Sequence, residues 1–233
     1  MSGLPYATAL IVGAGQGVSA SVARALAGGG VKVALAARNV AKLNALVAEI
    51  EGRAFEVDAA SPESVARLFG DVDASLGAPD VVLYNAGSRL RGAIVDLDPQ
   101  EVRKAIDVSA FGGFLVVQQA ARRMLPNRRG AILLTGATAS VKGFALSSGF
   151  AMGKFGLRGL AQSAARELAP QGVHVAHFII DGAVRSADRP DPLGRPDSTL
   201  DPDAIAQTYL SVLRQPRSAW SWEIELRPWV ENF

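Results

Sequence analysis

Short apolar runs alternate with longer helix-patterned stretches along almost the whole chain. The runs at 8–12, 32–36, 53–57, 80–84, 131–135, 173–180 and 220–226 are short and, in several cases, almost uninterrupted in their apolar character. Such runs suit parallel strands covered on both faces, whereas half-exposed strands alternate polar with apolar residues. Between them, helices are expected at about 17–28, 40–50, 62–76, 99–124, 149–169 and 202–214. Ser61-Pro62, Asp98-Pro99 and Asp201-Pro202 each set a capping side chain before a first-turn proline. Glu101 follows Asp98 by three residues, in the spacing of a capping box. This βα repetition predicts a Rossmann-like, doubly wound α/β fold of about seven parallel strands, with right-handed crossovers and helices on both faces. Ligands of such sheets lie beyond the carboxyl ends of the strands. No repeat or linker divides residues 1–233, and the length suits one large domain.

Composition narrows the chemistry. There is no cysteine, so disulfides and thiolate metal centres are excluded. The two histidines, His174 and His177, fall in one apolar run and are read as packing residues; no metal site is expected. A net charge of +2 gives no reason to expect nucleic acid as a partner. The densest basic cluster, Arg122, Arg123, Arg128 and Arg129, is read as a solvated helix end complementing the helix dipole. No run approaches the ~20 apolar residues that span a bilayer, and no secretory pattern precedes the first strand. A cytoplasmic protein without a membrane partner is expected. The segment 181–200 is rich in Pro, Arg and Asp and follows the carboxyl end of a strand. It is read as a substrate-side lid, the alternative being a mobile loop.

The first strand runs into Val12-Gly13-Ala14-Gly15-Gln16-Gly17-Val18-Ser19. A glycine-rich turn between strand and helix lets backbone N–H groups approach a pyrophosphate, and the helix dipole favours the negative charge. Gly13, Gly15, Gln16, Gly17 and Val18 are therefore candidate cofactor-binding residues. Roughly 20 residues past Gly17, where a carboxylate would hold the ribose hydroxyls of NAD, the second strand ends in Ala36-Ala37-Arg38-Asn39. Arg38 can instead pair with a 2′-phosphate, which favours NADP(H) over NAD(H).

With these motifs the chain resembles the short-chain dehydrogenase/reductase family from residue 7 to about 184. Gly13 and Gly17 match two glycines of the family pattern, and Ser19 takes the place of the third. The resemblance makes Asp58 the adenine-contacting aspartate and Tyr84-Asn85-Ala86-Gly87 the Asn-Asn-Ala-Gly motif with its first asparagine lost. Phe150-Ala151-Met152-Gly153-Lys154 stands where the family has Tyr-x-x-x-Lys, and Asp181-Gly182 where it has Pro-Gly. Carried over residue by residue, the resemblance puts Phe150 at the catalytic tyrosine, Ala137 at the serine and Ser109 at the asparagine, and keeps Lys154. It adds Asp58, Asn85, Ala86, Gly87, Lys154, Asp181 and Gly182 to the cofactor-binding set. It implies an atypical subgroup with Phe-x-x-x-Lys and an incomplete glycine motif.

Phenylalanine has no proton to exchange, and the loss of a general acid typically costs ~10²–10⁴ in rate. Thr138, Ser147, Ser148 and Lys154 are the candidate replacement donors; Lys154 qualifies if burial lowers its pKa. Tyr84, at a buried strand end, is read as packing. Three functions follow from this sequence. The first is an NADP(H)-dependent oxidoreductase acting on a small molecule that needs little acid assistance, such as an activated C=C or C=N bond. The second is a dinucleotide-binding regulatory protein without turnover. The third is a structural or partner subunit. Small residues on the two longest helices (Ala110, Gly112, Gly113, Ala161, Ala164) permit close packing, and the resemblance implies a homodimer or homotetramer. Trp220, Trp222 and Trp229 join either an interface or the protein's own core.

Overall fold

The computed structural model describes residues 3–231. Its strands are β1 (Thr8–Val12), β2 (Lys32–Ala37), β3 (Arg53–Glu56), β4 (Val81–Tyr84), β5 (Gly130–Thr135), β6 (Val173–Ile180) and β7 (Glu223–Leu226). They form one parallel sheet in the order β3-β2-β1-β4-β5-β6-β7. The helices are α1 (Val18–Gly28), α2 (Asn44–Ile50), α3 (Pro62–Leu76), α4 (Pro99–Ile106), α5 (Gly112–Met124), α6 (Ser148–Leu168) and α7 (Pro202–Leu213). The architecture is the single-domain, Rossmann-like α/β fold expected from the alternation of apolar runs.

Successive strand residues point to opposite faces, and the core divides accordingly. Ala9 and Ile11 of β1 join Leu26 of α1 and Ile205 and Leu210 of α7 on one face. Leu10 and Val12 join Phe69 of α3, Val116 of α5 and Leu157 of α6 on the other. With both faces covered, β1, β4, β5 and β6 are buried throughout, which is why they carry almost no polar residue.

The three side-chain caps form, but the capping box expected at Asp98 does not, because Glu101 turns to Lys104 at 3.7 Å. Ser61, Asp98 and Asp201 accept from the first-turn N–H groups of Ser64, Gln100 and Asp203. The last strand begins at Glu223, three residues later than expected. Gln215 holds Ser221 through two hydrogen bonds, so Trp220 and Ser221 belong to the preceding connection. Between α4 and α5 the chain makes one wide π-type turn, Asp107–Phe111, with Ser109 fully buried in it. Single turns of this kind concentrate at functional sites.

Most of the basic cluster is solvated at the helix end as expected, with Arg122, Arg128 and Arg129 exposed, and Arg123 is the exception. Arg123 is paired with Asp73 at 2.7 Å and lies over Phe69, while Arg128 and Arg129 donate to the carbonyls of Pro170 and Pro5. One packing expectation is corrected. The small residues Gly112, Gly113, Ala161 and Ala164 are turned into the protein's own core because α5 and α6 lie close on the sheet. The outward apolar surface of these helices is built from large residues, Phe111, Phe114, Met152 and Phe155. Trp220 stacks on His174 and Trp222 packs against the core, whereas Trp229 is 73% exposed.

Candidate active site

The strand order reverses at β1, which pairs with β2 on one side and β4 on the other. Loops leaving the carboxyl ends of these strands diverge there and open a crevice, the usual ligand position in such sheets. The crevice is a cavity of about 540 Å³. Gly13, Ala14, Gly15 and Gln16 line it after β1, Ala37, Arg38, Asn39 and Lys42 after β2, Asp58 after β3, and Asn85, Ala86 and Gly87 after β4. Eight of the sequence candidates thus meet around one space. Gly17 and Val18 sit just behind it, as the N-cap and first residue of α1.

Local chemistry explains the shape of the crevice. Gly13 has φ +83°, and a Cβ there would come within 2.3 Å of the Ala86 backbone nitrogen, so no side chain fits. α1 begins without a side-chain cap or a first-turn acidic residue, unlike α3, α4 and α7. Its first N–H groups therefore keep the capacity to hold an anion. Ser19, in the first turn of α1, is buried. Its hydroxyl donates to the Gly13 carbonyl at 3.2 Å and accepts from Asn85 Nδ2 at 2.7 Å. Asn85 N–H donates to the Val12 carbonyl at 2.8 Å. Asp58 is held by the Ser64 hydroxyl, which accepts from its N–H, and by the Ala60 N–H, which donates to its carboxylate. Lys42 adds a second cation beside Arg38. Sequence reasoning missed it because it lies five residues beyond the strand end, in a helical turn that brings it back over the cavity.

A second cavity, about 390 Å³, lies at the ends of β5 and β6. Ala137, Thr138, Ser147 and Phe150 line it together with Gly182, Ala183 and Arg189 from the segment after β6. Phe150 is half-buried and presents only a ring. The hydroxyls at this wall belong to Thr138 and Ser147, and Ser148 is not among the lining residues. Lys154, one helical turn along α6, is 5% exposed and donates from Nζ to the Thr135 carbonyl at 2.7 Å. A methyl group at Gly87 would lie 3.4 Å from Nζ and 3.9 Å from the Ser109 hydroxyl, so these two groups sit beneath the floor of the first cavity. Ser109 Oγ accepts from the Ser88 N–H at 3.3 Å. Burial, with a smaller contribution from the Arg89 charge, lowers the Lys154 pKa to about 8.

Asp181 is turned away from both cavities. It pairs with Arg227 at 3.0 Å, and its N–H donates to the Leu226 carbonyl at 2.7 Å. Its Oδ1 has no hydrogen-bond partner among the described residues. Gly182 follows it into the second cavity. Segment 181–200 is pinned by Asp191, which accepts from Thr199 and from the Asp197 N–H and pairs with Arg185. These contacts hold the Asp191 pKa down at about 2.

Tyr84 is fully buried and donates to the Val108 carbonyl, and burial raises its pKa. His174 bonds the Ser221 carbonyl at 2.8 Å, and His177 bonds Glu223 at 3.1 Å. Burial takes the His177 pKa down to about 4 despite the carboxylate, so the ring is neutral near pH 7. No group of three metal-ligating side chains occurs among the described residues. No helix among them is long and apolar enough to cross a membrane.

The first cavity suits a dinucleotide phosphate. Its turn is bare of side chains at Gly13, an uncapped helix start faces it, and two cations stand at its far end. Comparison with known proteins agrees with this geometry. The short chain dehydrogenase family model matches residues 7–188. An uncharacterised oxidoreductase of Staphylococcus aureus strain MW2 is 30% identical over 229 residues, covering 94% of this chain and 96% of its own. The crystal structure of a short-chain dehydrogenase from Rhodopseudomonas palustris is 36% identical, with a TM-score of 0.82 over 96% of this chain and 99% of that one. A metagenomic short-chain oxidoreductase solved in complex with NADP is 29% identical, with a TM-score of 0.83 over 95% and 97% of the two chains. A bare glycine turn at the β1 switch point, a lysine buried under the neighbouring floor and full-length relatives of one kind lead to one conclusion: this chain belongs to the short-chain dehydrogenase family of oxidoreductases.

Proposed function

We propose that the protein is an NADP(H)-dependent oxidoreductase from an atypical branch of its family, with phenylalanine in place of the proton-donating tyrosine. The observation that carries the cofactor preference is the pair Arg38 and Lys42 after β2, a segment that brings no carboxylate to the cavity, whose one lining carboxylate, Asp58, follows β3. The NADP bound by the metagenomic relative supports the same reading. Gly13, Gly15 and Gln16 with the start of α1 would hold the pyrophosphate, Arg38 and Lys42 the 2′-phosphate, and Asp58 the adenine. When bound, the cofactor supplies or accepts a hydride.

The protein's own residues then define what substrate chemistry is possible. Phe150 and Ala137 offer no proton and no hydrogen bond to a developing oxyanion. They do offer an apolar wall that excludes water. Thr138 and Ser147 supply the hydroxyls at this wall, and Lys154 is the one nearby group whose pKa burial brings close to neutrality. Lys154 is the proton reservoir in this proposal and communicates with the substrate through these hydroxyls. Substrates whose reduction needs little acid assistance fit best, namely activated C=C or C=N bonds.

A second reading, a dinucleotide-responsive protein without turnover, is favoured by the same two residues, Phe150 and Ala137. Fluorescence titration separates the readings. NADPH is expected to saturate the protein well below millimolar concentration and to bind more tightly than NADH, and Lys154→Ala is expected to abolish NADPH consumption on an enone and imine panel. Absence of binding at millimolar NADPH overturns both readings. Binding without consumption by the unaltered protein selects the second.

We also propose a homo-oligomer joined through α5 and α6, whose outward faces expose Phe111, Phe114, Met152 and Phe155. Light scattering at micromolar concentration is expected to give a dimer or tetramer, and a monomer would refute it.

A further inference from the structure

The second cavity is ringed by cations. Arg89 and Arg91 come from the loop after β4, and Arg189 comes from the segment after β6. Lys142 lies 5.6 Å over the ring of Phe144, another lining residue. No aspartate or glutamate lines the cavity. Several arginines elsewhere meet carboxylates. Arg24 meets Glu49, Arg123 meets Asp73, Arg158 meets Glu223, and Arg185, only four residues from Arg189, meets Asp191 and Asp201. Among the described residues no carboxylate pairs with Arg89, Arg91 or Arg189.

Like charges from two distant segments repel one another unless an anion joins them. A guanidinium is always charged and presents a planar fork that matches a carboxylate or phosphate edge. Arg89 is 5.7 Å from the centre of the Phe150 ring, so this positive charge reaches the wall that replaces the family tyrosine. A cavity of about 390 Å³ is within the range for small ligands.

We infer that the substrate is an oxyanion-bearing small molecule, a carboxylate or phosphate compound whose charged group is clasped by Arg89, Arg91 and Arg189 while its reducible bond lies against Phe150. This rests on the reading of the second cavity as the substrate side of an oxidoreductase. The arginines do there what the missing tyrosine and serine do not, since they hold the substrate by its charged end and leave the reducible bond facing an apolar ring.

The test uses benzoylformate, its neutral methyl ester and phenyl phosphate, titrated calorimetrically into protein saturated with NADP+. Either or both anions are expected to bind at least about tenfold more tightly than the ester, the scale of a charge-assisted hydrogen bond. Which of the two anions binds better distinguishes carboxylate from phosphate. Arg91→Gln/Arg189→Gln changes exposed side chains only, and is expected to erase the preference while leaving NADPH affinity, read by fluorescence, unchanged. The inference is overturned if neither anion binds at millimolar concentration, if the ester binds equally well, or if the preference survives in the double variant. If NADPH itself does not bind, the titrations are run on the cofactor-free protein. An anion preference lost in the double variant then keeps the anion site, although the oxidoreductase reading has failed.

Discussion

Ser19 and Asn85 are joined by a 2.7 Å hydrogen bond that ties the first turn of α1 to the end of β4 across the mouth of the crevice. The Ser19 hydroxyl also donates to the Gly13 carbonyl, so one buried side chain braces three of the backbone segments around the cavity. Replacing Ser19 with alanine leaves the Asn85 amide and the Gly13 carbonyl without this partner. A loss of about 1–3 kcal/mol in urea unfolding is expected, together with weaker NADPH binding. A variant as stable as the parent would show that the brace is dispensable.

Arg38→Gln/Lys42→Gln removes both cations from the far end of the cavity. NADPH affinity is expected to fall roughly 10- to 100-fold, as two charge-assisted contacts are lost. NADH affinity is expected to hold. Parallel fluorescence titrations check this, and an equal fall for both cofactors would mean that the two residues do not read the 2′-phosphate.

Phe150→Tyr combined with Ala137→Ser places a proton donor and a hydroxyl at the wall of the second cavity, where the proposed function lacks both. Turnover of a simple ketone by NADPH is expected to rise by ~10²-fold or more. Because Phe150 is half-buried and borders open space, the added hydroxyl reaches the cavity without overpacking the core. The rate is read from NADPH absorbance. No gain would indicate that the ring is not positioned at the reacting bond.

The lowered pKa of Lys154 makes stability depend on pH. The folded value is about 8 against an ordinary 10.5, so between these limits the unfolded chain binds more protons than the native one. Stability therefore rises with pH through this window. The contribution of Lys154 is complete above about 10.5 and is lost as pH falls through about 8. The full span corresponds to about 3 kcal/mol. Urea unfolding of the cofactor-free protein from pH 7 to 10.5, compared with Lys154→Met, is expected to show this slope only in the parent. Parallel curves for the two proteins would place the ammonium in water.

The sequence by itself determined the sheet, its helices and the glycine turn after the first strand. Uninterrupted apolar runs can be satisfied only by strands covered on both faces, and the Ser-Pro and Asp-Pro pairs mark helix starts through local hydrogen bonding. The candidates Gly13, Arg38, Asp58 and Asn85 were legible because each sits at the end of a strand, where parallel topology gathers distant segments. What the neighbours of each side chain would be was not legible. The small residues of α5 and α6 turned inward because the sheet lies under them, and Asp181 turned away from the crevice because Arg227 stands beside it. Lys42, the bracing role of Ser19 and the unpaired Arg89, Arg91 and Arg189 were decided by tertiary structure alone. A side chain's charge is written in the sequence, but its energy depends on burial and on which partner the fold brings within hydrogen-bonding distance, and both are settled only when the strands have paired.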